Sequence, residues 1–169
     1  MRNLVIMTRF CDKKICVLCG RCCHFRREKA LSADEELQIK QQVYAKTGVL
    51  YAYPFERFGL SLSTEEKKKF IEFAEKKGIE ISIKPKKILH DVERGRFIVI
   101  DWFLDHDDCP FQDEKGCCSI YENRPQVCND FPEIKNRDII ARHQSPHDVS
   151  YAVAVQMLSR AMIEHPELF

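Results

Sequence analysis

Apolar and polar positions along this chain alternate in a few recognisable stretches. In SADEELQIKQQVYAKTG, Ser32 has Glu35 three residues on, a capping box, and Gly48 supplies a stop. Leu37, Ile39, Val43 and Tyr44 give an imperfect apolar stripe between them, so the pattern predicts a helix. STEEKKKFIEFAEKKG repeats the arrangement. Ser63 and Glu66 form the box, Phe70, Ile71, Phe73 and Ala74 supply apolar contacts, and Gly78 ends it. Its lysines read as a solvated face. A further helix is predicted in SPHDVSYAVAVQMLSRAMIEH, with Ser145 at its start, Pro146 at its first position and Asp148 in its first turn. This segment is apolar on several sides, which suits a core helix or a partial dimer face.

Strand patterns lie between these helices. IEISI alternates from Ile79 to Ile83. KKILHDV and RFIVIDWFL flank the turn-like Glu93-Arg94-Gly95, which predicts a hairpin. Helices plus a small antiparallel sheet make the expected fold class α+β. No internal repeat, low-complexity tract or Gly/Ser linker interrupts the pattern, so residues 1–169 are expected to form one domain.

Composition narrows the function classes. Lysine plus arginine number 27 and aspartate plus glutamate 26, a balance that argues against nucleic-acid binding through bulk charge. The opening MRNLVIMTRF holds only a short apolar run, Leu4 to Met7, less than a signal peptide requires. No stretch approaches the roughly 18 apolar residues of a membrane helix. The expectation is a cytoplasmic protein with no membrane partner, acting on a protein or small-molecule partner that the pattern does not name.

The nine cysteines change the picture. In a reducing compartment clustered cysteines hold metal more often than they pair, and an odd count fits full pairing poorly. Cys11, Cys16, Cys19, Cys22 and Cys23 lie near the start; Cys109, Cys117, Cys118 and Cys128 lie far downstream. Cys16, Cys19 and Cys22 form C-x2-C-x2-C, a spacing that lets a tight turn gather thiolates at one centre. A bacterial ferredoxin run would place its next cysteine where Arg26 stands, but the remote Cys109-Pro110 can supply a fourth ligand to a [4Fe–4S] cluster. Thiolates suit zinc equally. Cys23 complicates a mononuclear site, because adjacent side chains point in different directions.

CVLCGRCC followed by CPFQDEKGCCSIYENRPQVCNDFP resembles the YkgJ-type CxxCxxCC family of zinc- or iron-chelating domains. Cys16, Cys19, Gly20, Cys22 and Cys23 match its first block. Cys109, Pro110, Phe111, Gly116, Cys118, Ser119, Ile120, Tyr121, Glu122, Arg124, Pro125, Cys128, Phe131 and Pro132 match its second. The flagellin lysine-N-methylases carry a similar cysteine arrangement. The resemblance implies seven ligands, namely Cys16, Cys19, Cys22, Cys23, Cys109, Cys118 and Cys128, with Cys11 and Cys117 as extras. Seven thiolates exceed one structural zinc site. They suit two metals sharing a bridging sulfur, or an iron–sulfur cluster with a second metal. Iron, as an iron–sulfur cluster or bare iron, is therefore favoured, with zinc in a structural, protein- or RNA-binding module as the alternative.

His24 and His106 are candidate further ligands, each read first as a surface or supporting histidine. Asp105, Asp107 and Asp108 read as a solvated turn. Asn123 is expected to cap a short helix, with Arg124 at its first position and Pro125 in its first turn, that carries Cys128 inward. Tyr121 and Phe131 are suited to excluding water. Arg124 can pair with sulfur or with Glu122, and Arg21, Arg26 and Arg27 surround the first block. No P-loop, G-x-G-x-x-G, H-E-x-x-H or G-x-S-x-G is present.

Overall fold

Two helices begin on the same local device. In the computed structural model, which describes residues 31–114, 118–130 and 148–169, helix α1 spans Ala33–Thr47 and α2 spans Thr64–Lys77. At α1 the Ser32 hydroxyl accepts the Glu35 N–H (3.3 Å) and the Glu35 carboxylate accepts the Ser32 N–H (2.9 Å). The Ser32 N–H and the Ser32 hydroxyl, which donates to the same carboxylate oxygen (2.8 Å), hold the Glu35 carboxyl below its ordinary value. At α2 the same exchange links Ser63 and Glu66. Both helices end at a glycine in the left-handed region, Gly48 at φ 70° and Gly78 at φ 64°, where a Cβ would be strained. The apolar stripe of α1 is buried only at its C-terminal end. Tyr44 is 2% exposed, whereas Leu37 is 44% exposed.

The sheet has four strands in the order β1-β3-β4-β2, all neighbours antiparallel: β1 Val49–Tyr51, β2 Ser61–Leu62, β3 Ile83–Asp91 and β4 Arg96–Leu104. The β3–β4 hairpin closes at Asp91↔Arg96, around the expected turn. β1 and β2 are short edge strands that no periodicity announces.

The expected strand from Ile79 to Ile83 is not formed; only Ile83 joins β3. The Ile79 N–H is taken by Ala74 O (2.9 Å) and the Gly78 N–H by Glu75 O (3.2 Å), a Schellman closure of α2. Ser82 is tied to the far end of β4 instead. Its N–H donates to His106 Nε2 (2.9 Å) and its carbonyl accepts the Asp105 N–H (2.8 Å).

Two register shifts compensate each other in the hairpin. Pro85 pairs with Trp102 and Lys87 with Asp101, so Lys86 is an extra residue on β3; Lys87↔Asp101 then steps to Ile88↔Val99, so Ile100 is an extra residue on β4. Pro85 has no N–H to give the ladder, a reason for the first irregularity to sit beside it. The second has a larger effect, because one inserted residue exchanges the faces of everything beyond it. Val99, Trp102 and Leu104 thereby share the face that packs on Phe70 and Ala74 of α2. Asp101 and Phe103 turn to the other face, where the 3-10 turn at Phe55–Arg57 and its flanks cover the sheet with Phe55 and Phe58.

Past the short helix α3, Gln126–Asp130, helix α4 spans Tyr151–Glu164. Its N-cap is Ser150, whose hydroxyl accepts the Val153 N–H (3.4 Å), not the Ser145-Pro146 start read from the pattern. Asp148 precedes the helix, and residues 145–147 lie outside the described set. Ala154 and Leu158 pack with Tyr44, Leu50 and Ile88, so α4 covers the β1–β3 side of the sheet. No described helix is long and apolar enough to cross a membrane.

Asp101 is the one buried carboxylate of the described sheet. Desolvation pushes its carboxyl above the ordinary 3.8, and the Lys86 and Lys87 ammonium groups only partly offset this. Lys87 Nζ lies 3.7 Å away, a long ion pair. A raised value means that the native state retains a proton the unfolded chain has already released, so stability falls as pH rises through that interval. We expect Asp101→Asn to raise the melting temperature at neutral pH, and the gain to shrink as pH falls through the raised native value towards 3.8, below which no further change is expected. Paired thermal melts across that range test it. A lower melting temperature for the variant at neutral pH would show that the lysines outweigh desolvation.

Candidate metal centre

The second cysteine block hangs from the end of β4 and is built around Phe111. This side chain is fully buried and meets Phe70 of α2 edge-on, with centroids 5.0 Å apart. Burying an aromatic side chain contributes about 1.5–3 kcal/mol, enough to anchor the loop around it. The Cys109 carbonyl accepts the Gln112 N–H (3.1 Å), the Phe111 carbonyl accepts the Ser119 N–H (2.8 Å), and Gln112 bridges to Cys118. The loop therefore leaves Cys109 and returns at Cys118 with its two arms joined.

The chain then makes a 3-10 turn, Tyr121–Asn123, and enters the short helix α3, Gln126–Asp130. Asn123 does not cap this helix. It lies in the turn, Arg124 is extended (ψ 146°), and the Pro125 carbonyl accepts the amides of Cys128 (3.0 Å) and Asn129 (3.2 Å). A proline restricts the residue before it to extended conformations, which moves the helix start past Arg124. The expectation that α3 carries Cys128 inward holds: Val127 and Cys128 pack against the core.

Cys109 and Cys118, on the two arms of the loop, and Cys128, on α3, are thus half-buried against one hydrophobic cluster, Leu60, Leu62, Phe70, Trp102, Phe111 and Ile120 among its members. A cation lies at the same cluster. Lys67 Nζ sits 3.1 Å from the centroid of the Trp102 ring, and burial pushes its ammonium down from its ordinary value. Arg124 stacks on Tyr121, its guanidinium 3.8 Å from the ring centroid, and its Nε donates to the Tyr121 carbonyl (3.1 Å). It makes no ion pair with Glu122. The hydroxyl of Tyr121 is buried, with no hydrogen-bond partner among the described residues.

His106 is part of the scaffold, because its Nε2 accepts the Ser82 N–H and only Nδ1 remains for another partner. Asp105 is not solvated as expected. It pairs with Lys84 (2.6 Å) and Arg57 (2.8 Å), while Asp107 and Asp108 are exposed. Cys11, Cys16, Cys19, Cys22, Cys23, Cys117, His24, Arg21, Arg26, Arg27 and Phe131 lie outside the described residues. Among the described residues, no group of three or more His, Cys, Asp or Glu side chains is placed to hold a metal ion. The donor type nevertheless fits a thiophilic metal: Cys109, Cys118 and Cys128 are thiols set against an apolar cluster.

A family model, described as "CxxCxxCC: putative zinc- or iron-chelating domain", matches residues 15–146. The match takes in both cysteine blocks and the scaffold between them. The chain belongs to the CxxCxxCC family. No curated protein and no solved structure matches it. Within the matched span, the α+β scaffold and the wall of the second block are now placed, and both rest on α2.

Glu66 is the residue that sequence reasoning understated. Its Oε2 accepts the Ser63 N–H (2.7 Å) as the capping box requires, and its Oε1 accepts the Gln126 N–H (2.8 Å), the first amide of α3. Nothing local signals the second bond, which spans 60 residues. We expect Glu66→Ala to cost about 1 kcal/mol of stability through the lost cap. It should also speed amide hydrogen exchange at both Ser63 and Gln126. Unchanged exchange at Gln126 would show that α3 is held by packing alone.

Proposed function

We propose that this protein holds an iron–sulfur cluster or a polynuclear iron centre through Cys16, Cys19, Cys22, Cys23, Cys109, Cys118 and Cys128, and that it works in the cytoplasm in redox or group-transfer chemistry. The observation that carries the reading is the placement of Cys109, Cys118 and Cys128. The two arms of one loop and helix α3 bring them half-buried to one apolar wall inside a chelating-domain family match that also spans the first block. Packing alone does not require three thiols along such a wall, whereas a thiophilic metal centre does. The described cysteines do not complete a site by themselves, and the first block supplies the remaining donors in this reading. Seven thiolates, two of them adjacent, exceed the four positions of one structural zinc ion. When bound, such a centre would supply electron transfer or Lewis-acid chemistry. The apolar wall limits solvent access, and that access tunes the potential of a cluster.

Zinc is the competing occupant, since the family description names it beside iron and thiolate softness does not separate the two. In that reading the module is structural and presents a protein- or RNA-binding face.

Anaerobic purification with elemental analysis and an absorption spectrum decides between them. The expected result is iron with acid-labile sulfide, or more than one iron per chain, and visible charge-transfer absorption. One zinc per chain without colour would overturn the iron reading. Cys118→Ser and Cys23→Ser should each lower metal content, whereas Cys11→Ser should retain it. Full metal retention in Cys23→Ser would remove the second cysteine of the adjacent pair from the ligand set.

A further inference from the structure

Strand β4 is longer than the strand that covers its outer side. β3 pairs with it from Arg96 to Leu104, whereas β2 reaches only Trp102 and Phe103 on the other side. Among the described residues, no strand pairs with that outer side from Arg96 to Ile100. A bond on the neighbouring strand sets the direction of the backbone groups there. The His90 N–H donates to the Gly48 carbonyl (2.9 Å), away from β4, so the facing pair His90↔Phe97 exchanges no hydrogen bond. Alternation along the ladder then turns the N–H and C=O of Phe97 and Val99 outward, and those of Ile98 inward to Leu89. Past the extra residue at Ile100 the outward parity changes, and the Leu104 N–H donates to the Leu60 carbonyl (3.0 Å) on the β2 side.

An open strand edge pairs readily with another chain, and proteins blunt such edges with charge, proline or brevity. The other long strand is blunted: where β3 runs past β1 it carries Lys84, Pro85 and Lys86. The open edge of β4 carries Phe97, Ile98, Val99 and Ile100, all partly exposed, and only Arg96 is charged. Its length is bounded by the turn at Gly95, whose N–H donates to the Val92 carbonyl (3.3 Å), and by the irregularity at Ile100. We propose that two copies of this chain associate by pairing β4 with β4, antiparallel, about a two-fold axis at Ile98. Outward groups must face outward groups, and this register uses both sets: Phe97 faces Val99 of the second copy, and such a facing pair exchanges two hydrogen bonds. The side chains agree with it. Phe97 and Val99 lie on one face, where both pack on the Tyr44, Ile88 and Ala154 cluster, so an aromatic ring meets a β-branched side chain across the axis. Ile98 meets its own counterpart on the opposite face. A two-fold contact of this kind is closed, giving a dimer rather than a fibre. Edges this short fall below the roughly 1,200 Å² of a standard interface, so the dimer dissociates on dilution. The inference involves no cysteine and stands apart from the metal reading.

The test is sedimentation equilibrium of the full chain, with reductant present, over a range of concentrations, and amide hydrogen exchange at the two ends of that range. The mass should double as concentration rises. Exchange at Phe97 and Val99 should slow with it, while exchange at Ile98, which bonds within the hairpin, stays the same. Ile98→Lys and Ile98→Glu each set like charges against one another on the axis and should stay monomeric; their equimolar mixture should recover the dimer. A single-chain mass at every concentration would overturn the proposal. A dimer with unslowed exchange at Phe97 and Val99 would overturn it without recourse to any variant, since the interface would then lie elsewhere. A dimer that persists in both single variants, or a mixture that stays monomeric, would overturn the axis at Ile98.

Discussion

A carboxylate offers two oxygens, and Glu66 uses each to close the start of a different helix. One bond is local and completes the α2 capping box. The other crosses to the first amide of α3, the short helix that carries Cys128. A five-residue helix has too few internal hydrogen bonds to persist by itself. Its geometry depends on what receives its first amides and what its apolar residues pack against. Both answers lie on α2: Glu66 takes the Gln126 amide, and Phe70 belongs to the cluster under Val127 and Cys128. The scaffold and the cysteine wall are in this sense one structure, joined at the N-terminal half of α2.

The sheet holds α2 in place through a compensated irregularity. Without the extra residue at Ile100, the alternation along β4 would put Trp102 and Leu104 on the face opposite Val99. They share its face, and the apolar surface presented to α2 is continuous. The cost appears on the other side, where Asp101 is buried with a raised pKa that Lys86, a long ion pair to Lys87 and the Trp102 N–H only partly offset. A carboxylate buried in this way is a weak source of stability. Its position follows from the register that the apolar face selects.

The wall of the candidate centre combines rigidity with unspent polar capacity. Phe111 fixes the Cys109–Cys118 loop to the core, and Pro125 and Glu66 fix α3. Against that background one polar atom, the Tyr121 hydroxyl, is buried without a partner among the described residues, held there by Arg124. Arginine stacked on tyrosine and bonded to its carbonyl is committed to the turn. That is why it does not serve as an ion-pair partner for Glu122, although the two are neighbours but one in sequence.

Local interactions were legible in the sequence because each is written within a few residues. The Ser32–Glu35 and Ser63–Glu66 boxes, the Gly48 and Gly78 stops and the β3–β4 hairpin all appear where their spacing places them. The α+β class followed from them. The misreadings were also local patterns, overruled by distant partners. IEISI alternates as a strand should, but α2 takes the Ile79 amide and the turn after β4 takes Ser82. Ser145-Pro146 resembles a helix start, but the helix that packs on Tyr44 and Ile88 begins at Ser150. β1 and β2, at three and two residues, are too short for any period to register and exist only because β3 and β4 offer edges. The sequence by itself determined which residues are candidates for holding a metal, since residue type and spacing are covalent facts. Tertiary structure decided which face of the sheet is apolar, which carboxylate holds α3, and that Cys109, Cys118 and Cys128 share one wall. Those outcomes depend on registers and hydrogen bonds between residues tens of positions apart, which no local period encodes.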